Sequence, residues 1–377
     1  MSRSSDRAPA VQIVVPAGFD EPDRVSGGNV YDQRLAAALS DTGVGVDVHP
    51  VGSRWPRPTR DDLAGLDRLL RSLPDGDPVV IDGLIASCSP EVVVPAANRL
   101  QIVALIHLPL GVPPAGIPSG SRAELADHQR DEAAVLNSVA GVITTSRWTR
   151  GQLLDQYRLD PDRVVVAPPG VNPAAIAPGS PGGGQLLCVA PVTRLKGLDL
   201  LCEALIDCRD LSWQLQCVGS LHHDPQFVQE FRDRLSTQGL ADRVTLAGVC
   251  SGQELDLAYR HADLLVLPSR LETWGMVATE ALAHGLPVLV SEVGGLPEAV
   301  GRTEQGPPGL LVPVDRSAWA TALRTWLTQP PLRTELRRRA LVRRETLGTW
   351  DDTVRQVLTC PVLGHPPSGL QTAEGTA

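Results

Sequence analysis

Two glutamates in the segment 269–288 have a spacing suited to binding hydroxyl groups. Glu272 precedes a predicted helix that opens at Gly275, and Glu280 lies inside this helix. Eight helical residues span about 12 Å, roughly the reach from a sugar to a ribose across a diphosphate. Ionised carboxylates only accept hydrogen bonds, which suits hydroxyl groups, and the free N–H groups at a helix N-terminus favour an anion between them. The same spacing also fits a surface-capping glutamate and a helix glutamate with solvated carboxylates.

The second residue that could do chemistry is a lysine. Lysine and arginine together number 34, yet Lys196 is the only lysine in the chain. It follows the predicted strand Leu186–Val189, at the start of an amphipathic stretch. A compact ammonium can do what a planar guanidinium cannot, so Lys196 either marks a site or stands alone by chance.

These residues need a scaffold of two parallel sheets. Short β-rich runs alternate with amphipathic stretches, and Asn172–Gly184, with three prolines and four glycines, interrupts the pattern as an interdomain linker. The predicted strands are Gln12–Val15, Val44–His49, Pro78–Asp82, Ile102–His107, Val142–Thr145 and Val164–Ala167 before it, and Leu186–Val189, Gln214–Val218, Val244–Ala247, Leu264–Leu267, Val288–Ser291 and Leu310–Val312 after it. The predicted helices are Val30–Ser40, Asp61–Ser72, Ser121–Val139, Trp148–Tyr157, Leu198–Cys208, Gln226–Gln238, Gly252–His261, Met276–Ala283, Ser317–Thr328, Leu332–Leu347 and Trp350–Leu358. The fold class is therefore α/β, with two doubly wound domains and a cleft between their facing strand ends.

Composition excludes several classes of protein. A net charge of −9 and 3% aromatic residues argue against a nucleic-acid binder. No apolar run is long enough to span a membrane, and the N-terminus has no apolar signal core, so we expect a cytoplasmic protein. The seven cysteines are odd in number and form no Cys-x-x-Cys pair, which favours reduced thiols. The fingerprint Gly-x-Gly-x-x-Gly is absent after the first strand, which argues against a dinucleotide dehydrogenase.

The two segments together resemble the signature of family 4 retaining glycosyltransferases of the GT-B fold. The resemblance rests on Glu272–x7–Glu280 with Gly275-Met-Val between, and on the strand-to-helix turn that ends in Lys196-Gly197. Weaker matches are Ser26-Gly27-Gly28-Asn29, Val142-Ile-Thr-Thr-Ser146-Arg-Trp148, Pro168-Pro-Gly170-Val, Gly294-Gly-Leu-Pro-Glu298 and Thr349-Trp350. The resemblance covers nearly the whole chain.

The resemblance implies a domain plan. We expect an N-terminal acceptor-side domain over 1–172, a linker over 173–184 and a C-terminal nucleotide-sugar-binding domain over 185–347. A terminal helix over 348–363 returns to the N-domain, and a disordered tail covers 364–377.

The resemblance also implies roles for individual residues. Glu280 would hold the ribose, and Glu272 the donor sugar, helped by the backbone N–H groups of Gly275, Met276 and Val277. Lys196 and Arg194 would neutralise the diphosphate, which Gly27 and Gly28 approach closely because they lack side chains. His107, at the end of a strand, matches a histidine that reaches the sugar in relatives; from the residue alone, a satisfied polar group at a strand end is the favoured interpretation. Relatives often carry an arginine at the position of Pro191, and Arg194 is interpreted as its substitute.

Two further patterns are weighed against chemistry. Asp75-Gly-Asp77 and Asp160-Pro-Asp162 have the spacing of metal-dependent transferases, but both contain turn residues and precede strands, so we predict no metal ion and no cofactor. Six arginines crowd one late helix as a solvated face, or alternatively as a contact with an anionic membrane surface. They are Arg333, Arg337, Arg338, Arg339, Arg343 and Arg344.

The sequence therefore predicts a retaining transferase that moves a hexosyl unit from a nucleotide-diphospho-sugar to a small-molecule, glycan or lipid acceptor. A UDP-sugar is favoured as donor, with GDP-mannose as the alternative. A GT-B-fold epimerase, a phosphorylase and a catalytically dead nucleotide-sugar-binding protein are the other readings. Nucleic acid is not an expected partner, and the oligomeric state is open.

Overall fold

The computed structural model describes residues 10–21, 26–52, 54–113 and 122–364. These residues form two parallel sheets of six strands each, both covered by helices. The α/β fold class with two doubly wound domains is therefore confirmed.

The N-terminal sheet has the strand order β2-β1-β3-β4-β5-β6. Its strands are β1 (Ala10–Pro16), β2 (Gly45–Val51), β3 (Pro78–Asp82), β4 (Gln101–Ile106), β5 (Gly141–Thr144) and β6 (Val164–Val166). Its helices are α1 (Gly27–Asp41), α2 (Arg60–Ser72), α3 (Gly83–Ala86), α4 (Pro90–Ala96), α5 (Arg122–Ser138) and α6 (Arg147–Tyr157). Side chains at helix starts fix the turns that follow the strands: Ser26 accepts from the Asn29 N–H at 3.1 Å, and Ser146 from the Thr149 N–H at 3.0 Å.

The C-terminal sheet has the order β12-β11-β10-β7-β8-β9. Its strands are β7 (Gln185–Val189), β8 (Gln214–Val218), β9 (Val244–Gly248), β10 (Leu264–Leu267), β11 (Val288–Ser291) and β12 (Gly309–Val312). The helices are α7 (Leu198–Ile206), α8 (Pro225–Thr237), α9 (Gln253–His261), α10 (Met276–Ala283), α11 (Leu296–Val300), α12 (Arg316–Thr328), α13 (Pro330–Arg344) and α14 (Trp350–Val357).

Strand order fixes where the ligand site must lie. Successive strands are added in opposite directions from a point between β1 and β3 in the first sheet, and between β7 and β10 in the second. Open α/β sheets bind ligands at such switch points, outside the carboxyl ends of the strands. Segments that follow β1, β3, β7 and β10 line one shared cleft, described below.

All twelve predicted strands are present, with ends within two residues of the expected positions. Three short helices were not predicted: α3, α4 and α11. They contain four to seven residues, and α4 and α11 begin with or next to a proline, so none is long enough for a helical apolar period to emerge.

The last helix packs on the N-terminal domain. The Trp350 ring of α14 meets Tyr31 of α1 edge-on with centroids 5.7 Å apart. The Thr353 hydroxyl donates to the Pro168 carbonyl at 2.7 Å. Helix α14 therefore packs against the N-terminal domain, while the predicted tail lies outside the described residues from position 365 onwards.

The arginines of α13 form the predicted solvated face only in part: Arg338 is exposed and pairs with Glu335, whereas others reach backbone carbonyls. Arg344 donates to the Ala283 and Ala174 carbonyls at 2.6 and 2.8 Å, Arg343 to Val300 at 3.0 Å, and Arg337 to Ala177. Because each guanidinium carries five N–H donors, this one helix can bind both the linker and the rest of the C-terminal domain. Within the described residues no helix is long and apolar enough to cross a bilayer.

Candidate active site in the interdomain cleft

Lys196 sits in a tight turn directly after β7. Arg194–Lys196 form a single 3₁₀ turn that ends at Gly197, whose φ is +71°. A Cβ at position 197 would lie 2.0 Å from the Pro268 carbonyl oxygen, so this close approach to the end of β10 requires glycine. The turn places the Lys196 ammonium in the cleft, 2.6 Å from Glu272 Oε1.

Glu272 is held on the opposite side of the switch point. The Ser269 hydroxyl donates to the same Oε1 at 2.7 Å. The Glu272 backbone carbonyl accepts from the Gly295 N–H at 2.8 Å, which fixes the loop that carries it. The Lys196 and Glu272 side chains are 22% and 12% exposed, so the ion pair is largely desolvated yet still open to a ligand.

Helix α10 begins at the cleft without a side-chain cap. Gly275, the residue before its first turn, has φ +95° and no side chain to accept from the N–H groups that follow. Gly275 and Met276 line the cleft beside Lys196. An ammonium and an uncapped helix N-terminus that converge in this way form a binding site for an anion.

Glu280 lies one turn further along α10 and lines the cleft together with Lys196, Met276 and Val277. Its Oε2 accepts from the Tyr259 hydroxyl at 2.6 Å. Burial raises the pKa of Glu280, while the Tyr259 hydrogen bond and the charges of His284 and Arg34 act in the opposite direction. Donors supplied by a ligand would therefore favour the ionised carboxylate.

On the N-terminal side, Gly27 and Gly28 open α1 and face Lys196 across the cleft. A Cβ at Gly28 would lie 3.2 Å from His107 Cδ2, so the glycine leaves room for the imidazole. His107 Nε2 lies 2.8 Å from Asp32 Oδ1 and 3.6 Å from Asp82 Oδ2. The sequence analysis did not single out either aspartate.

The cleft consists of two connected lobes. The first lobe, about 270 Å³, is lined by Gly28, Asp82, His107, Glu272 and Trp274 among others. The second, about 200 Å³, contains Glu280, and Ser26, Gly27, Lys196, Glu272, Gly275 and Met276 line both. Nine of the ten predicted site residues thus meet in one cavity system.

Arg194 is the exception, because its side chain does not line this cavity system, and its contact with the diphosphate stays a prediction. Its guanidinium pairs with Glu230 of α8 and lies 5.1 Å from the centroid of the Phe227 ring. The 3₁₀ turn sends the side chains of residues 194 and 196 in different directions, so only Lys196 enters the cleft.

The Asp-x-Asp pairs are turns at the opposite ends of the strands. Asp75 pairs with Arg99 at 3.0 Å, and Asp160 accepts from the Asp162 N–H at 3.0 Å. Among the described residues one group has atoms close enough to hold a metal ion together, namely Asp32, Asp82 and His107.

A further carboxylate joins the two domains. Glu298, at the start of α11, accepts from the first two N–H groups of α6, those of Arg147 and Trp148, at 3.0 and 2.7 Å. Asp32 could have been found in the sequence, because it is a charged residue on the apolar face of α1. The contact of Glu298 with α6 could not, because it joins positions 150 residues apart.

Comparisons with known proteins agree with this architecture. The model of the family described as "Glycosyltransferase Family 4" matches residues 10–175, and that of "Glycosyl transferases group 1" matches residues 183–329. The D-inositol 3-phosphate glycosyltransferase of Acidothermus cellulolyticus is 30% identical over 88% of this chain and 84% of its own length. That of Pseudarthrobacter chlorophenolicus is 29% identical over 87% and 88%.

Solved structures share the fold. Sucrose-phosphate synthase from Thermosynechococcus elongatus superposes with a TM-score of 0.76 and 23% identity, covering 93% of this chain and 97% of its own. Anabaena HepE in complex with UDP and glucose gives 0.70 and 16%, covering 93% and 98%. At these identities the likeness concerns the fold alone.

Proposed function

The chain belongs to the family 4 glycosyltransferases of the GT-B fold, and on that premise we propose that it moves a hexosyl unit from a nucleotide-diphospho-sugar to a hydroxyl acceptor with retained anomeric configuration. One observation carries the proposal. Lys196 Nζ lies 2.6 Å from Glu272 at the uncapped N-terminus of α10, and Gly27 and Gly28 face this pair across the cleft. The arrangement suits a diphosphate flanked by two sets of hydroxyls.

The donor takes up both lobes in this proposal. Glu280 binds the ribose in the second lobe, the diphosphate lies between Lys196 and α10, and Glu272 and His107 meet the hexose in the first. We propose a UDP-sugar, since Anabaena HepE, of the same fold, is described in complex with UDP. GDP-mannose is the alternative to be tested beside it.

Lys196 and the N–H groups of α10 stabilise the charge that develops on the departing diphosphate. Such preorganised contacts contribute most in a desolvated site, and this ion pair is largely buried. The acceptor hydroxyl attacks from the face that the diphosphate leaves, and a phosphate oxygen of the donor takes its proton. We propose no metal ion and no cofactor for this step.

The acceptor is proposed from the relatives. Their names specify D-inositol 3-phosphate, so this compound is the first acceptor to test, followed by unphosphorylated inositol and by glycan and lipid acceptors. We further propose that the enzyme works in the cytoplasm, where nucleotide-sugars are made. Arg343 and Arg344 of α13 donate to backbone carbonyls, so they give no support to membrane binding.

The test is a turnover assay with UDP-sugars and GDP-mannose, analysed by mass spectrometry and by the anomeric coupling constant of the product. Expected is an acceptor-dependent glycoside with the donor's anomeric configuration and no loss of rate in EDTA. Conversion of the donor sugar without acceptor would instead indicate an epimerase, and dependence on inorganic phosphate a phosphorylase. Nucleotide-sugar binding without turnover on any acceptor would indicate a dead site.

A further inference from the structure

Three titratable side chains meet at the floor of the first lobe. Asp82 is the last residue of β3, His107 follows β4, and Asp32 lies on the buried face of α1. The Asp32 and Asp82 side chains are 1% and 2% exposed and that of His107 is 11% exposed. Two carboxyls and an imidazole are thus enclosed together with no arginine or lysine hydrogen-bonded to them among the described residues.

The contacts within this group favour one proton more than two carboxylates and one imidazolium carry. Asp82 Oδ1 accepts from the Leu84 N–H at 2.6 Å, and Asp32 Oδ1 faces His107 Nε2 at 2.8 Å. Asp32 Oδ2 is buried and has no donor. Both carboxyls lie beside the same imidazole nitrogen, at 2.8 and 3.6 Å, so they are close neighbours. Two buried carboxyls this close favour holding one proton between them, and that proton can serve as a donor to the other carboxyl.

The electrostatics agree with this count. Burial and the charge of Asp32 raise the pKa of Asp82 to about 7, although His107 and the Leu84 N–H act to lower it. Burial alone would lower the pKa of His107, but the charge and hydrogen bond of Asp32, and then the charge of Asp82, outweigh it and raise the pKa. Burial and Asp32 thus favour the protonated form of the Asp82 carboxyl, and the two aspartates favour the protonated form of the His107 imidazole.

We propose that Asp32 and Asp82 are positioning residues that share one proton and hold His107 as an imidazolium whose second N–H is presented to the donor sugar. The inference rests on the proposed function, since the sugar in the first lobe is part of that proposal. His107 Nδ1 has no hydrogen-bond partner among the described residues, and the ring lines the lobe. Because Nε2–H donates to Asp32, Nδ1–H is the group that can donate to a ligand.

The group of Asp32, Asp82 and His107 makes activity fall as pH rises. As pH rises through about 7, Asp82 loses the shared proton, and two adjacent carboxylates then repel each other beside the imidazolium. The other titratable groups that line this lobe are Lys196, Glu272 and Tyr31, whose hydroxyl is committed to the Ala167 carbonyl at 2.9 Å. An alkaline fall in rate is therefore assigned to loss of a proton from this group, from the paired carboxyls or from His107.

A divalent cation is the competing use of the same atoms. It would need a neutral imidazole and two ionised carboxylates, because metal ligands must be deprotonated. A cation therefore displaces both protons that the proposal requires, and the two accounts are mutually exclusive.

The first measurement is the imidazole titration of His107 by long-range ¹H–¹⁵N NMR, with the signal assigned from His107→Gln. Expected in the wild type is an imidazolium that persists above pH 7, and in Asp32→Asn a midpoint lower by at least about one pH unit. A His107 midpoint near 6.5 in both proteins would overturn the inference. This readout needs no turnover, so it stands even if no donor is found and the proposed function fails.

The second measurement is the pH profile of kcat/KM. Asn at position 82 donates permanently to Asp32, as the protonated acid does, so Asp82→Asn should lose less than about tenfold at pH 6 and shift the alkaline limb to higher pH. Asp32→Asn should lose more than about tenfold and shift the limb to lower pH. Asp210→Asn, which alters the exposed pair with Arg324 at 2.7 Å outside the cleft, is the control and should keep the wild-type profile. If Asp32→Asn does not fold, the Asp82→Asn profile decides. Variant profiles that superimpose on the wild type, or EDTA inactivation reversed by Mg²⁺ or Mn²⁺, would overturn the inference.

Discussion

Replacing Lys196 with methionine removes the one ammonium in the chain while keeping a flexible side chain of similar length. In the structure this ammonium lies 2.6 Å from Glu272 and beside the uncapped start of α10. Losing one preorganised electrostatic contact in a desolvated site raises the barrier by about 2–4 kcal/mol. The expected result is a value of kcat/KM lower by roughly 30- to 900-fold.

The loss should be coupled to Glu272. Without Lys196, the Glu272 carboxylate keeps only the Ser269 hydroxyl at 2.7 Å and repels the diphosphate. Glu272→Gln should therefore cost less in the Lys196→Met background than in the wild type, with a coupling energy of about 0.5–3 kcal/mol, because the two side chains touch. Steady-state kinetics on the wild type, both single variants and the double variant measure this coupling.

Arg194→Met is the matched control from the same turn. Its guanidinium pairs with Glu230 outside the cleft, so kcat/KM should stay within about threefold of the wild type. A Lys196→Met enzyme with a wild-type kcat/KM would refute the assignment of the diphosphate site. So would an Arg194→Met enzyme as impaired as Lys196→Met.

The remaining predictions concern the supports of the site. Gly197→Ala places a Cβ 2.0 Å from the Pro268 carbonyl oxygen at a φ of +71°, and should lower the free energy of unfolding by at least about 1–3 kcal/mol, measured by urea denaturation; an unchanged midpoint would contradict the close approach. Tyr259→Phe removes the 2.6 Å bond to Glu280 and should weaken nucleotide binding by about fivefold in calorimetry, whereas an unchanged Kd would mean that the hydroxyl does not orient the carboxylate. Glu298→Ala removes the interdomain cap and should speed hydrogen exchange of the first two N–H groups of α6, and equal rates in variant and wild type would show that the cap does not hold the domains together.

The fold was predictable because its signals are local. The central strands are short runs of buried apolar residues bounded by turn residues, as in Leu264–Leu267 and Val288–Ser291. Strand order was not predictable in detail, since periodicity does not say which strands are neighbours. The short helix α3 went unseen because it is a single turn that depends on the Asp82 cap.

The candidate site was predictable in part. Lys196, Glu272 and Glu280 lie on two segments whose motifs are specific, and the structure brings them together. The sequence did not show that the Arg194 side chain lies outside the cleft. A 3₁₀ turn directs the side chains of residues 194 and 196 apart, and sequence spacing does not reveal this. The unit of Asp32, Asp82 and His107 combines three elements, so only the three-dimensional arrangement exposes it.

The central claim is that a nucleoside diphosphate binds between Lys196 and Glu280, and thermal shift with UDP, GDP, ADP and TDP tests it most directly. At a hundred times its Kd, one nucleotide should stabilise the wild type by about 2.7 kcal/mol. The shift should be lost in Lys196→Met and Glu280→Gln and kept in Arg194→Met. No shift with any of the four, or an equal shift in all three variants, would contradict the account.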